Sequence, residues 1–471
     1  MRLQRSVGLL AFALVAPAAF GQSSIPSENR VQAIVGARIE IGDGRVIEKG
    51  NLVIRDGLIV AVGPDASVPP GAEVLDGKGL TLFPGLINSF TNSGVKPPAA
   101  DPNQDASPPT SDYAPAFMRE ANRKGVRPEL QARQYLTLTD DVARPYRNVG
   151  FTTLMIAPGG GYLNGIGTLA NLSGRPARDA VVSPRTMLAM TFGGGFGFGG
   201  GYPASLLGRI SHVRQAFVDA QGYRATTQAF QAGGAQRPPS DMTLEALLPA
   251  LDRSLPTGIE ADTTSQIDRA LNFAAELHLR PILVGGLQAY RRIDQIKASG
   301  APVLLSLNFG PEPVAPKPPD PKTPPKTADD PGDAPVPELP ERIAERSRLY
   351  QETVKNADAL RQAGIPFALT DRGCKDPKEF IGFLRAAVKN GLPRDVALRA
   401  LTLDAAKIFG VERQLGTLEV GKTANVVAMT ADFLDEKTKV KMLYIDGHKI
   451  DPEAKPVGTT PRNRFGGEVG R

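Results

Sequence analysis

Apolar and polar residues alternate in short runs from residue 32 to 79. Residues 33–40, 51–55 and 58–62 are β-rich, and Gly-Asp-Gly and Asp56-Gly57 break them, a pairing of extended runs with tight turns that predicts a small antiparallel sheet. The same texture returns at 416–429 and at 440–445, the latter ending on Asp446-Gly447. Two β segments bracketing the rest of the chain suggest one sandwich built from both ends, over residues 30–83 and 411–455.

Between them the pattern changes. Residues 151–156, 281–284, 302–307 and 366–369 are short continuous apolar runs, as expected for parallel strands buried on both faces. Residues 265–277 place Ile267, Ala270, Leu271, Ala274 and Ala275 on one face of a helix before the next strand. Strand and helix alternating in this way imply right-handed crossovers, and the length of residues 84–410 favours closure into a (β/α)₈ barrel.

Two stretches interrupt this order. Residues 311–340 are rich in Pro, Lys and Asp with almost no large apolar side chain, which predicts a disordered insertion. The glycine run at 193–201 could suggest a phosphate cradle, but no Lys-Ser/Thr follows it, and a mobile loop is the simpler reading. At the start, Arg2 and Arg5 precede an apolar core at 7–15 and small residues at Ala19 and Gly21, which predicts a secretory signal cleaved after Gly21 and a periplasmic or secreted protein. No later segment is long and apolar enough to span a membrane.

Composition narrows the chemistry. The 471 residues carry 55 Lys and Arg against 49 Asp and Glu, but these charges are scattered, with no basic run or zinc-finger pattern, so nucleic acid is set aside. The lone Cys374 makes no internal disulfide, and as a nucleophile near Asp371 it lacks an accompanying histidine base. There are only three histidines, His212, His278 and His448, and none forms a ligand pair such as HxH or HExxH. His278 falls at the end of a crossover helix and His448 in the terminal hairpin, whereas His212 could line a barrel mouth.

Five phrases carry a resemblance: IRDGLIVAVG at 54–63, LDGKGLTLFPGLI at 75–87, LPRDVALRALT at 392–402, AAKIFGV at 405–411 and GTLEVGKTANVV at 416–427. Together they resemble the amidohydrolase superfamily, which includes imidazolonepropionase and dihydroorotase, and the sequence looks like an exported, imidazolonepropionase-like member. The resemblance implies a (β/α)₈ barrel with a composite β-sandwich and, by family, hydrolysis of carbon–nitrogen bonds other than peptide bonds. In active members Asp-x-His-x-His follows the phrase that stands here at 75–87 and binds a divalent metal that activates water. Here those positions read Asn88, Ser89, Phe90, Thr91 and Asn92. The position of the bridging lysine falls at Asn171, one histidine position at Glu260 or Asp262, and another at Gly285. Only Asp371 stands where the family's final aspartate binds metal and takes a proton from water, and it is the one catalytic candidate.

Two function classes follow. The first is a non-catalytic homologue with no cofactor, binding a small molecule, pairing as a homo-oligomer or joining an active paralogous amidohydrolase subunit. The second is a hydrolase with a rebuilt site in which Glu260, Asp262 and Asp371 hold a hard divalent cation such as Mg²⁺ or Ca²⁺.

Overall fold

A computed structural model of the chain describes residues 31–98, 123–193, 203, 205–234, 237–313 and 339–452. The signal segment, residues 194–201 of the glycine run and residues 314–338 of the Pro-rich insertion lie outside the described residues.

The chain opens with β1 (Gln32–Glu40), β2 (Val46–Arg55), β3 (Leu58–Gly63), β4 (Glu73–Asp76) and β5 (Thr81–Pro84). The turn between β2 and β3 is Asp56-Gly57, both at positive φ (51° and 79°), which the two-residue hairpin requires and which Gly adopts without strain. Next come β6 (Leu86–Thr91), β7 (Phe151–Ile156), β8 (Leu163–Ile166), β9 (Thr168–Asn171), β10 (Val181–Ser183), β11 (Leu188–Thr191), β12 (Thr257–Ala261), β13 (Pro281–Gly285), β14 (Val303–Ser306) and β15 (Phe367–Thr370). The chain closes with β16 (Val426–Met429), β17 (Val440–Ile445) and β18 (His448–Ile450), the last two joined by Asp446-Gly447, again at positive φ.

Both ends of the chain share one sheet, in the order β18-β17-β16-β5-β1-β2-β3, with β4 beside β1. The join is β5, which pairs parallel with β1 and antiparallel with β16. Ile34, Ile39, Leu52 and Leu82 from the first segment pack with Val426 and Tyr444 from the last. Residues 416–422, expected to be extended, instead turn at Gly416 and Gly421, both at positive φ.

The middle of the chain is mixed α/β. Parallel strands β11 to β15 follow one another in a single sheet, and parallel β6 and β7 lie in a second. Between β7 and β11 stand β9 and β8, consecutive in sequence around Gly167, and both run against their parallel neighbours. Residues 163–171 therefore act as one bent, reversed strand that links the two sheets. No ladder joins β15 to β6 among the described residues. Side chains make that junction instead, beginning with Thr370 Oγ1, which donates to the Phe90 carbonyl at 2.6 Å.

Alternation along the strands sorts their side chains. Ile87, Met155, Ala189, Val284, Leu304 and Ala368 form one interior cluster. Leu154, Leu283, Leu305 and Leu369 point the other way, into the core beneath the helices. Those helices are α1 (Asp140–Arg147), α2 (Ala177–Ala180), α3 (Leu206–Gln231), α4 (Met242–Leu251), α5 (Thr264–Glu276), α6 (Ile293–Ser299), α7 (Pro340–Val354), α8 (Asn356–Gln362), α9 (Pro377–Lys389), α10 (Arg394–Ala400) and α11 (Leu403–Ile408). Helix α5 begins with a capping box made by Thr263 and Gln266 and buries Ile267, Ala270, Leu271, Phe273 and Ala274. Phe273 belongs to this face; Ala275, one position beyond Ala274, is turned to solvent.

Candidate functional site

The carboxyl ends of the parallel strands are where a sheet of this kind gathers its chemistry. On β12, Ile259 and Ala261 pack outward, so Glu260 and then Asp262 face the interior side. On β15, Phe367 and Leu369 pack outward and Ala368 inward, so the same parity places Thr370 and Arg372 inside and Asp371 outside. The contacts agree. Arg372 Nη2 donates to Glu260 Oε2 and Nη1 to Asp262 Oδ2, both at 2.8 Å. Burial by itself would lower the Arg372 guanidinium, but the charges of Asp262 and Glu260 outweigh it and hold the group above its ordinary value.

Gly285 lies against the same cluster. Its φ is +105°, and a side chain there would begin 2.1 Å from Asp262 Oδ1. The Asp262 carboxylate thus fills the space that any larger residue at 285 would need. That Oδ1 atom is buried and has no hydrogen-bond partner among the described residues.

Asp371 is turned the other way, into the junction between β15, β6 and α1. Asn88 Nδ2 donates to its Oδ1 at 2.6 Å, Tyr146 Oη donates to its Oδ2 at 2.7 Å, and the Asp371 amide donates to Asn88 Oδ1 at 3.2 Å. Burial pushes the Asp371 carboxyl above the usual range, and the bonds from Tyr146 and Asn88 pull back against that rise. The Tyr146 phenol is raised as well, first by burial and then by the charge of Asp371.

A cavity of about 570 Å³ opens over this junction, with Phe90, Asn92, Tyr146, Asp371, Arg372 and Cys374 on its wall. Phe90 is buried in the interior cluster, and Asn92 Nδ2 donates to the Ala157 carbonyl at 2.9 Å. The Cys374 thiol is pushed up to about 12, chiefly by burial and then by Asp371, Glu379 and Asp376. It stays protonated at neutral pH, which removes it as a nucleophile.

Asn171, which the resemblance puts at the position of a bridging metal ligand, lies away from this cluster. Because residues 163–171 run in reverse, Asn171 sits opposite Thr153 near the start of β7. There it accepts from Thr153 Oγ1 at 2.6 Å and donates to Asp446 Oδ1 at 2.6 Å, tying the bent strand to the terminal sheet. The histidines also stand apart from the site. His212 on α3 is buried, its Nε2 is 2.9 Å from the Lys124 carbonyl, and burial lowers its pKa. His278 ends the turn after α5 at a φ of 54°, and His448 is on β18.

These residues do not fit the family's metal. The histidine positions hold the buried Phe90 ring, the Asn92 amide, a carboxylate (Glu260 or Asp262) and Gly285, Asp371 faces away from Glu260 and Asp262, and a guanidinium stands between those two carboxylates. Among the described residues no three His, Cys, Asp or Glu side chains gather to hold an ion. Arg372 and Tyr146 are the site residues that the sequence reading missed. The available signal was parity, since counting by twos from Ala368 puts residue 372 inside and residue 371 out.

Asp371→Asn is expected to gain on the wild-type protein as pH rises. An acid with a raised folded pKa binds its proton more tightly when folded, so it contributes stability at low pH that is lost as pH climbs from the unfolded value, about 3.9, through the raised folded one. The amide does not ionise and escapes this loss. Urea midpoints of both proteins at about pH 4 and about pH 7 check it, and a gap that stays constant contradicts it.

The profile of the amidohydrolase family matches residues 329–450. The imidazolonepropionase of Mesorhizobium japonicum is 45% identical over 51 residues, 10% of this chain and 12% of that protein. Among solved structures, an amidohydrolase from Thermotoga maritima MSB8 has a TM-score of 0.69 at 20% identity, covering 89% of this chain and 99% of the other. Residues 329–450 carry the amidohydrolase family's sequence pattern, and these likenesses together support the amidohydrolase superfamily. An N-acyl-D-aspartate deacylase of Alcaligenes xylosoxydans xylosoxydans is 44% identical over 59 residues, 12% of each protein. The chain thus matches only about an eighth of the length of these curated relatives. A Xaa-Pro dipeptidase structure with bound methionine has a TM-score of 0.51 at 17% identity, covering 89% of this chain and 100% of the other, a likeness of fold alone.

Proposed function

We propose that this amidohydrolase-superfamily chain is an exported, non-catalytic homologue on a (β/α)₈ barrel with a composite β-sandwich. In this reading it binds a small molecule in the cavity over the β6–β15 junction, or pairs with a catalytically complete paralogue. The match to the amidohydrolase family supports a hydrolase scaffold. The reading rests on one observation, the placement of Arg372 2.8 Å from both Glu260 and Asp262. A metal-bound water needs a cation with open coordination positions, and a guanidinium offers only N–H donors. The second reading, a rebuilt site of Glu260, Asp262 and Asp371 around a hard cation, requires Arg372 to leave and Asp371 to turn through the strand.

Metal content tests the reading. The mature protein, purified without affinity histidines and dialysed against Zn²⁺, Mn²⁺ and Mg²⁺, is expected to retain far less than stoichiometric metal by elemental mass spectrometry. Near-stoichiometric Zn²⁺ or Mn²⁺ would overturn it and direct assays toward cyclic amides and dipeptides.

A further inference from the structure

We propose that Arg372 is the resident cation of this site, a tethered guanidinium in the place of a divalent ion, and that its removal opens a binding site for a hard divalent cation. The inference rests on the non-catalytic reading above and extends it.

Glu260 and Asp262 lie two residues apart on one face of β12, both partly buried. Two carboxylates on one face repel each other, and partial burial strengthens that repulsion. Arg372 relieves it with one N–H from each terminal nitrogen, a fork that a lysine cannot reproduce. The strand parity that brings Arg372 to the interior side turns Asp371 the other way, so one local arrangement both supplies the guanidinium and withdraws the expected ligand.

Two further features show how closely the cluster is built around a positive charge. The Asp262 Oδ1 atom is buried without a partner among the described residues, an acceptor left over after Arg372 has bonded Oδ2. Gly285, at a φ of +105°, leaves room for that oxygen and for nothing larger. Removing the guanidinium exposes four carboxylate oxygens of Glu260 and Asp262 to the vacated volume. Such donors match the preference of Mg²⁺, Ca²⁺ and Mn²⁺ for hard oxygen ligands completed by water.

The test compares the mature full-length wild type with Arg372→Ala and Arg372→Lys, by thermal unfolding and by bound Mn²⁺ after dialysis, each in EDTA and in excess MnCl₂. Arg372→Ala is expected to melt below wild type in EDTA, to recover much of that loss in MnCl₂, and to bind Mn²⁺ near-stoichiometrically. Wild type and Arg372→Lys, which keep a cation, should show neither response. If Arg372→Ala does not fold in EDTA, refolding it in MnCl₂ and adding Glu260→Gln and Asp262→Asn to it serve as the readouts. Rescue by either route supports the proposal, and failure of both overturns it. An Arg372→Ala protein that folds but ignores Mn²⁺, beside a metal-free wild type, overturns this inference and leaves the non-catalytic reading standing. Stoichiometric Mn²⁺ on wild type overturns both.

Discussion

Arg394→Ala is expected to destabilise the protein by about 2–4 kcal/mol, somewhat below the roughly 3–5 kcal/mol typical of breaking a buried ion pair because Glu40 keeps a second partner. Glu40 ends β1, and its side chain is only 4% exposed. Arg394, at the start of α10, donates to both Glu40 oxygens at 2.7 and 2.8 Å and also bonds Asp432. Its guanidinium stacks over the rings of Phe433 and Phe83, at 5.1 and 5.9 Å. One side chain thus ties the first strand of the terminal sheet to a late helix, across 354 residues of sequence. Alanine removes the fork, the stacking and the Asp432 pair, and leaves the buried carboxylate to Arg38 alone. Urea unfolding reads the loss directly. Arg394→Lys should recover less than half of it, since an ammonium cannot serve both Glu40 oxygens and Asp432 in that plane. A loss below about 0.5 kcal/mol would place this contact with ordinary surface pairs and sink the expectation.

Much of the fold was legible in the chain, for identifiable reasons. The turns at Asp56-Gly57 and Asp446-Gly447 announce hairpins because both central residues need positive φ. The runs at 151–156, 281–284 and 366–369 mark strands because burial on both faces leaves no polar alternation. Direction is a different matter. The apolar positions of 163–171 read alike whichever way the strand runs, so its reversal is invisible to periodicity, and the misplacement of Asn171 follows from it. At the site the family positions named the right strand ends but not which side chains face one another. The β6–β7 ladder slips between Asn88 and Thr91, which breaks the alternation expected there. The family positions predict ligands for a cation at these strand ends, so they carry no signal for Arg372, which is itself the cation there.

Asn88→Ala is expected to cost about 2–3 kcal/mol at neutral pH, because it takes a charge-assisted donor from a buried carboxylate and an acceptor from a buried amide. The site makes this loss consequential. No ladder joins β15 to β6 among the described residues, so the Asn88–Asp371 exchange and the Thr370 bond to Phe90 carry that junction. Asn88 also helps to hold the Asp371 pKa down against burial. Without it the folded pKa rises further above the unfolded one, and the penalty on the ionised form grows as pH rises. The deficit of Asn88→Ala should therefore be larger at about pH 7 than at about pH 4, where a protonated Asp371 needs the donor less. Urea unfolding of wild type and variant at both pH values measures this, and hydrogen exchange at the Asp371 amide should quicken in the variant while the amides of β12 and β13 keep their protection. An equal deficit at the two pH values would mean that Asn88 supports the junction by packing alone. A deficit confined to higher pH, with faster exchange at Asp371, would mean that a buried charge and its two neutral donors fasten β15 to β6, in a place where the family uses an aspartate for metal.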